Sequence, residues 1–260
     1  MSSIKSGKSN MEEAQRIFEY LPIQPPDDEY IRFLWEAFES NYNNGKFQFA
    51  YIAYHMLFMS FIYYQIAKIY QTESDRCRDL MTFTGKVQDH IDNHERKIAA
   101  GQESALAPLQ KFSLENERTI MGLFISIGCT REEIKTLKTI VDGRNSIAHS
   151  NGNIFYRTKE SLDEKINEML ASIKTVQEKS KSIIDKAFNA FLVECQNPDD
   201  REFPDDESQV KEIFVHGNYL SFEDIKIAQK YDISVLSGEA FYTNIQSLAQ
   251  ALRDLYKEEE

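Results

Sequence analysis

The chain has 260 residues, and its 42 acidic and 30 basic side chains give a formal net charge of −12. Proteins that bind nucleic acid through broad phosphate neutralisation are usually basic, so this balance disfavours that mode and permits only a local basic site. Hydrophobic residues make up 42% of the sequence, enough for a sizeable core, and the ten glycines and six prolines are too few for a turn-rich all-β protein. Global disorder is excluded, and long helices are expected.

The N-terminal part of the chain is predicted to be helical around one apolar segment. Residues 1–26 form a polar tail and a short amphipathic helix that ends at a proline cluster, and acidic residues at 27–29 open the next helix. The stretch from Phe47 to Ala67 has no charged residue and is long enough to span a bilayer. It carries His55 and four tyrosines, which a lipid-facing helix rarely does. It is therefore predicted to be a central core helix, with no membrane association.

Two capping boxes mark helix starts in the second half of the chain. The box at 130–133 predicts a helix over 130–150, and the box at 161–164 predicts the longest helix, over 161–195. Apolar residues recur in the longer helix at alternating three- and four-residue steps, a seam that packs along a neighbouring helix, within the chain or across a dimer. The members of this seam are Leu162, Ile166, Met169, Ile173, Val176, Ile183, Ala187 and Ala190.

These patterns divide an all-α chain into four parts. They are a flexible tail with a short helix (1–26), a helical domain (27–196), an acidic, two-proline linker (197–208) and a small C-terminal helical appendage (209–260). The linker is predicted to be solvated. Within the appendage, residues 210–218 are predicted to form either a short strand or a helix.

Cysteines and paired histidines give little support for a metal site. The three cysteines, Cys77, Cys129 and Cys195, lie far apart without a C-x-x-C pair, which predicts free, mostly buried thiols in a reducing cytoplasm. His90 and His94 share one face of a polar helix and could hold zinc, but no partner ligands have suitable spacing. A solvated helix face is therefore the favoured alternative, and no metal or other cofactor is expected.

Arg144 and His149 form the most informative pair of residues. Five positions apart, they diverge by about 140° on an ideal helix, but Gly143, Asn151 and Gly152 indicate irregular backbone that brings them closer. A permanent cation and a group that titrates near neutrality, converging on one point, make a phosphate site. The alternative is an arginine paired to a carboxylate and an exposed histidine near a helix end.

Arg144, Asn145 and His149 match the signature of the HEPN family, which is Arg, then Asn, Asp or His, then at least three residues, then His. The chain resembles this family over about 27–195, outside the C-terminal appendage. The resemblance implies a HEPN-like helical bundle with long antiparallel helices. Toxins of the family that pair with a nucleotidyltransferase antitoxin usually carry Tyr two residues after the histidine. Asn151 stands there instead, so regulation through modification of that tyrosine is not expected.

The same resemblance implies a metal-independent endoribonuclease. RNA supplies the 2′-hydroxyl nucleophile, so His149 would be the general acid/base, Arg144 would stabilise charge on the phosphate, and Asn145 would orient one of them or the phosphate. His55 would support the site. The implied product ends in a 2′,3′-cyclic phosphate. Family members commonly form homodimers that place two Arg/His pairs in one cleft, and many are toxins or antiphage effectors that act on tRNA or other cellular RNA under the control of a regulatory or antitoxin protein.

A second function remains open from the sequence. A non-catalytic HEPN-like binding or scaffold subunit, acting through a protein partner, fits the charge of −12 more easily than a free nuclease does. The two functions differ in one geometric expectation. Catalysis requires Arg144 and His149 to share a solvent-open cleft, whereas a scaffold does not.

Overall fold

The computed structural model describes residues 10–81, 86–102, 107–148 and 152–257, excluding the side chains of 86–88 and 90. Every regular element in these ranges is a helix, which confirms the all-α prediction. The α-helices are α1 (Asp28–Asn43), α2 (Phe47–Thr72), α3 (Ser74–Met81), α4 (Lys86–Ala99), α5 (Pro108–Phe112), α6 (Glu117–Ile120), α7 (Arg131–Ala148), α8 (Lys159–Lys179), α9 (Lys181–Glu194), α10 (Asp206–Ser208), α11 (Phe222–Ala228) and α12 (Tyr242–Leu255).

Helix α2 is the centre of the molecule, as its apolar sequence predicts. It forms a hairpin with α1 across a short turn and also packs against α3, α5, α7, α8 and α9. Leu57, Phe58, Phe61 and Ile62 are fully buried. Contact on nearly all sides explains why the helix needs no polar face. No helix in the described ranges is long and apolar enough to cross a membrane.

Among the described residues, the hydrophobic core has two clusters. The first surrounds α2 and includes Ala14 and Ile17 of the N-terminal helical turns, so this short helix packs into the bundle. The second is formed by α9, α11, α12 and a π-helix over Gln209–His216. Helix α9 therefore packs with the C-terminal segment rather than only with the bundle that precedes it. Of the two alternatives predicted for residues 210–218, a strand or a helix, the structure shows a helix.

The predicted single helix over 161–195 is wrong, because the chain bends at Ser180. Its hydroxyl lies 2.9 Å from the carbonyl oxygen of Val176, four residues earlier, and 3.1 Å from Oε1 of Gln65, so its single proton is shared between these two acceptors. Such back-bonding competes with the helical ladder and bends helices. The helix also begins two residues early, at a cap formed by Thr158 instead of Ser161.

The apolar seam on this segment is used within the chain. Its positions from Leu162 through Val176, together with Ile183, are buried in the first core, mainly against α2, while Ala190 is exposed. Of the two alternatives predicted for the seam, packing within the chain is therefore the one that the structure confirms. Burial inside one chain leaves no continuous apolar stripe there for a partner.

Three local features on either side of the long helices depend on specific side-chain or backbone contacts. The capping box at Thr130 is confirmed, since Glu133 N–H donates to Thr130 Oγ1 at 3.2 Å and Glu133 Oε2 accepts from the Thr130 N–H at 2.6 Å. Gly128 ends the preceding apolar segment with a left-handed φ of 85°, a conformation that glycine commonly adopts just after a helix. The segment 197–208 contains the nearly buried Arg201, which donates to the carbonyl of Cys195 at 2.6 Å and to Asp206 at 2.5 Å. This part of the acidic segment is therefore not fully solvated as predicted, because the side chain of Arg201 is nearly buried within it.

A buried polar network joins the two clusters. Lys68 of α2 is 3% exposed and donates at 2.5 Å to Asp224 of α11, which is fully buried. Asp224 also accepts from the Ser221 N–H and hydroxyl, each at 2.9 Å, and from Gln177 at 2.7 Å. Burial lowers the pKa of Lys68, and Asp224 opposes that shift. A buried ion pair held by additional hydrogen bonds fixes how α11 sits against α2.

Candidate functional site

Arg144 lies in the penultimate turn of α7 and makes an ion pair with Glu117. Its Nη2 donates to Oε1 of this glutamate, the first residue of α6. Asn116 caps α6 by accepting from the backbone N–H of Arg118 at 3.0 Å, which fixes where Glu117 starts the helix. Arg144 remains 28% exposed, so it keeps guanidinium donors that Glu117 does not use.

His55 reaches the same glutamate from the middle of α2. Its Nε2 lies 3.2 Å from Oε2 of Glu117, and the side chain is 1% exposed. An ionised carboxylate only accepts hydrogen bonds, so a neutral His55 must carry its proton on Nε2. Its Nδ1 is then a bare, buried acceptor without a partner among the described residues. Glu117 thus connects His55 to Arg144, one carboxylate oxygen to each.

The charge state of this group follows from burial and from its contacts. Burial lowers the pKa of His55, against the opposing effect of Glu117, so the imidazole is neutral near pH 7. Burial alone would raise the pKa of Glu117, but its contacts with His55 and Arg144 outweigh burial and lower it. The resting site therefore holds a neutral histidine, a carboxylate and a guanidinium.

Beside these residues lies a pocket of about 680 Å³. His55, Glu117 and Arg144 line this pocket, together with the exposed Tyr30 and Met56. The remaining lining residues are Asp27, Ile52, Met59, Ser60, Tyr63, Leu109, Gln110, Ser113 and Ala148. The pocket can hold a partly apolar ligand with one hydrogen-bonding or charged end.

The structure brings together some of the sequence-predicted site residues. Arg144 and His55 are joined through Glu117 rather than by direct contact. Asn145 is half-buried on α7 and does not line the described part of the pocket. His149 lies outside the described residues, but Ala148, which directly precedes it, lines the pocket. A carboxylate partner of Arg144 was one of the alternatives open from the sequence, but Glu117 could not be identified as that partner, because the two residues are 27 positions apart.

No metal-binding cluster is present in the part of the chain that the structure describes, where no group of three His, Cys, Asp or Glu side chains converges. His94 is buried, so the solvated face predicted for it is wrong, and the side chain of His90 lies outside the described residues. All three cysteines are free and buried. Burial raises the pKa of Cys77 and of Cys129 to about 11, which makes both poor thiolate ligands at neutral pH.

Comparison with known proteins gives no relative from which to transfer a function. No family model, curated protein or solved structure matches this chain.

The burial of His55 predicts a specific pH dependence of stability. Because the folded-state pKa of His55 lies below its ordinary 6.5, the unfolded chain binds the proton first as the pH falls. This contribution to the free energy of unfolding is therefore complete above about pH 6.5 and is lost as the pH falls below it. We expect His55→Gln to flatten the fall in stability between about pH 7 and 5.5, as measured by urea unfolding. Parallel pH curves for the variant and the wild type would contradict the depressed pKa.

Proposed function

We propose that this chain is a metal-independent endoribonuclease of HEPN type that acts through Arg144 and His149. The observation that best supports the proposal is that Arg144 and Ala148 line the same pocket. A phosphodiester bound there would meet a permanent cation, and the next residue along the chain from Ala148 carries an imidazole.

The proposed reaction uses the nucleophile that RNA carries. His149 accepts the proton of a 2′-hydroxyl, whose oxygen attacks the adjacent phosphorus while the bond from phosphorus to the 5′-oxygen breaks. The 5′-oxygen takes up a proton, and the products are a 2′,3′-cyclic phosphate and a 5′-hydroxyl. A positioned acid/base contributes about 10²–10⁴-fold, and charge stabilisation by Arg144 contributes about 10²–10³-fold.

Glu117 and His55 serve as positioning residues in this proposal. Glu117 fixes one edge of the Arg144 guanidinium, leaving its other N–H groups for phosphate oxygens. His55 holds the second oxygen of Glu117 from the wall of the pocket, where only 1% of the residue is exposed. Asn145, next to Arg144, would orient the phosphate or His149.

The quaternary and biological parts of the proposal come from the resemblance to the HEPN family. One His149 is a single proton carrier, whereas the reaction both removes and donates a proton. A two-fold homodimer would supply the second histidine. Such a dimer would need a surface other than the apolar seam of α8, which is buried within the chain. The proposed substrate is tRNA or another cellular RNA, cleaved in the cytoplasm by a toxin or antiphage effector under the control of a regulatory protein.

One observation favours a second function, a non-catalytic binding or scaffold subunit. Glu117 already neutralises Arg144, and Asp27 adds a second carboxylate to the pocket, so its wall carries more negative than positive charge. In that case the pocket would take an apolar side chain of a partner protein near Met56 and Met59. Association with a partner that is lost in Met56→Glu, without RNA cleavage by the wild type, would favour this alternative.

Chelation tests the ribonuclease proposal directly. Because the 2′-hydroxyl supplies the nucleophile, we expect the wild type to cleave total tRNA in excess EDTA, with a rate that depends on a group titrating near neutrality. His216→Ala is the control for the histidine assignment and should leave the cleavage rate and its pH dependence unchanged. This histidine lies in the C-terminal segment, where it contacts Glu212 at 2.9 Å. Activity lost on chelation and restored by zinc or magnesium would contradict a metal-independent mechanism.

A further inference from the structure

One face of α7 carries basic side chains on an otherwise acidic protein. Arg131, Lys135 and Lys138 are spaced by four and three residues, which places them within about 60° of one another around the helix. Arg118 reaches the same place from α6, donating to the backbone carbonyl of Lys138 at 3.5 Å. These four residues are called the basic stripe below.

The basic stripe lines a shallow cavity of about 340 Å³. Its four cations share this cavity with a single carboxylate, Asp142, which pairs with Arg118. Lys135 makes only a long, exposed contact of 3.8 Å with Glu132. Within the described part of the chain, Arg131 and Lys138 form no ion pair. This concentration of weakly compensated positive charge contrasts with the net charge of −12 for the whole protein.

The cavity of the basic stripe and the pocket of Arg144 lie on opposite sides of the contact between α6 and α7. Glu117 and Arg118 are consecutive residues of α6, and they contact Arg144 and Asp142, which are two residues apart on α7. The two cavities therefore lie on either side of the same turn of α7. Along the helix, Arg131 to Lys138 spans about 10 Å, and Asn145 is about 10 Å further on the same face.

We propose that the basic stripe binds the backbone phosphates of a single RNA strand that passes around this turn of α7 to reach Arg144. This inference rests on the proposed ribonuclease function and adds where the substrate runs. An acidic protein segment would also bind cations, but a line of cations along one helix, beside the turn that carries Arg144, favours a chain of phosphates. An acidic protein can bind RNA in this way, because the cations that neutralise the phosphates are confined to one helix face.

The test measures RNA binding separately from cleavage, in protein carrying His149→Ala. The probe is a fluorescein-labelled single-stranded RNA of about 16 nucleotides, titrated from about 50 to about 200 mM KCl. The stripe variant is Arg131→Gln/Lys135→Gln/Lys138→Gln. The matched control is Arg96→Gln/Lys174→Gln/Lys230→Gln, which removes three exposed cations elsewhere.

We expect the stripe variant to bind the RNA about 10- to 100-fold more weakly at 0.1 M salt, with a salt slope flatter by about 2. The control should bind like its parent. In protein with His149 intact, the stripe variant should lower kcat/KM and leave kcat at saturating RNA unchanged. Thermal melts by circular dichroism establish that both triple variants are folded.

The outcomes separate this inference from the proposed function. The proposed role of the basic stripe is overturned if the stripe variant binds RNA as tightly as the His149→Ala parent, or if that parent binds no RNA. If the wild type also cleaves RNA, the ribonuclease proposal survives that result. Stripe-dependent binding without any cleavage by the wild type supports the stripe and contradicts the ribonuclease. Stripe-dependent binding of labelled poly-glutamate, with RNA binding unchanged, assigns the face to an acidic protein instead.

Discussion

His149→Ala is expected to lower the rate of RNA cleavage by about 10²–10⁴-fold, because it removes the proposed proton-transfer group. Arg144→Ala is expected to cost about 10²–10³-fold through the loss of charge stabilisation at the phosphate. Arg144→Lys should recover only part of that loss, since an ammonium cannot reproduce the guanidinium fork. Initial rates on a labelled RNA, under single-turnover conditions, provide the measurement.

Arg118→Ala is the control for these two variants, because Arg118 lies near Arg144 but takes no part in the proposed chemistry. Arg118→Ala removes the arginine beside Glu117 but leaves Arg144 and its carboxylate in place. We expect weaker RNA binding from Arg118→Ala, with kcat retained. Full single-turnover activity of His149→Ala would contradict the assignment of catalysis to this motif, whatever the result for Arg144→Ala.

Lys68→Met is expected to lower the free energy of unfolding by about 3–5 kcal/mol, because it leaves the Asp224 carboxylate buried without its cation. The double variant Lys68→Met/Asp224→Asn should cost much less than the sum of the two single variants, since neither remaining side chain carries an unpaired charge. Urea unfolding of all four proteins gives this double-mutant cycle.

A surface pair on the same helix as Asp224 provides the comparison. Lys226 and Glu223 contact at 2.8 Å, with side chains 41% and 27% exposed. Breaking a partly exposed pair of this kind should cost less than about 1 kcal/mol. Additive costs at Lys68 and Asp224, or a loss no larger than that at Lys226, would show that the network does not hold α11 against α2.

Local and periodic features of the fold could be predicted from the sequence. The apolar run of α2, the capping box at Thr130 and the left-handed Gly128 each depend on residues close together in the chain. The bend at Ser180 could not be predicted, because no proline or glycine marks it. It depends on a hydrogen bond to Gln65, which is 115 residues away.

The candidate site shows the same division between local and distant information. The spacing of Arg144 and His149 indicated a phosphate site, and the position of His55 within an apolar helix indicated a polar exception. Nothing local distinguishes Glu117 from the 41 other acidic residues, and only tertiary packing joins it to both His55 and Arg144. The basic stripe was detectable, since its spacing of four and three residues is present in the sequence.

The chemistry of the cleaved RNA ends tests the central claim most directly. Wild-type protein and His149→Ala are each incubated with a defined RNA in EDTA, and the products are identified by mass spectrometry. A 2′,3′-cyclic phosphate and a 5′-hydroxyl from the wild type, both absent with His149→Ala, are predicted. A 3′-hydroxyl with a 5′-phosphate would contradict attack by the 2′-hydroxyl, and the same cyclic product from His149→Ala would contradict the role of His149.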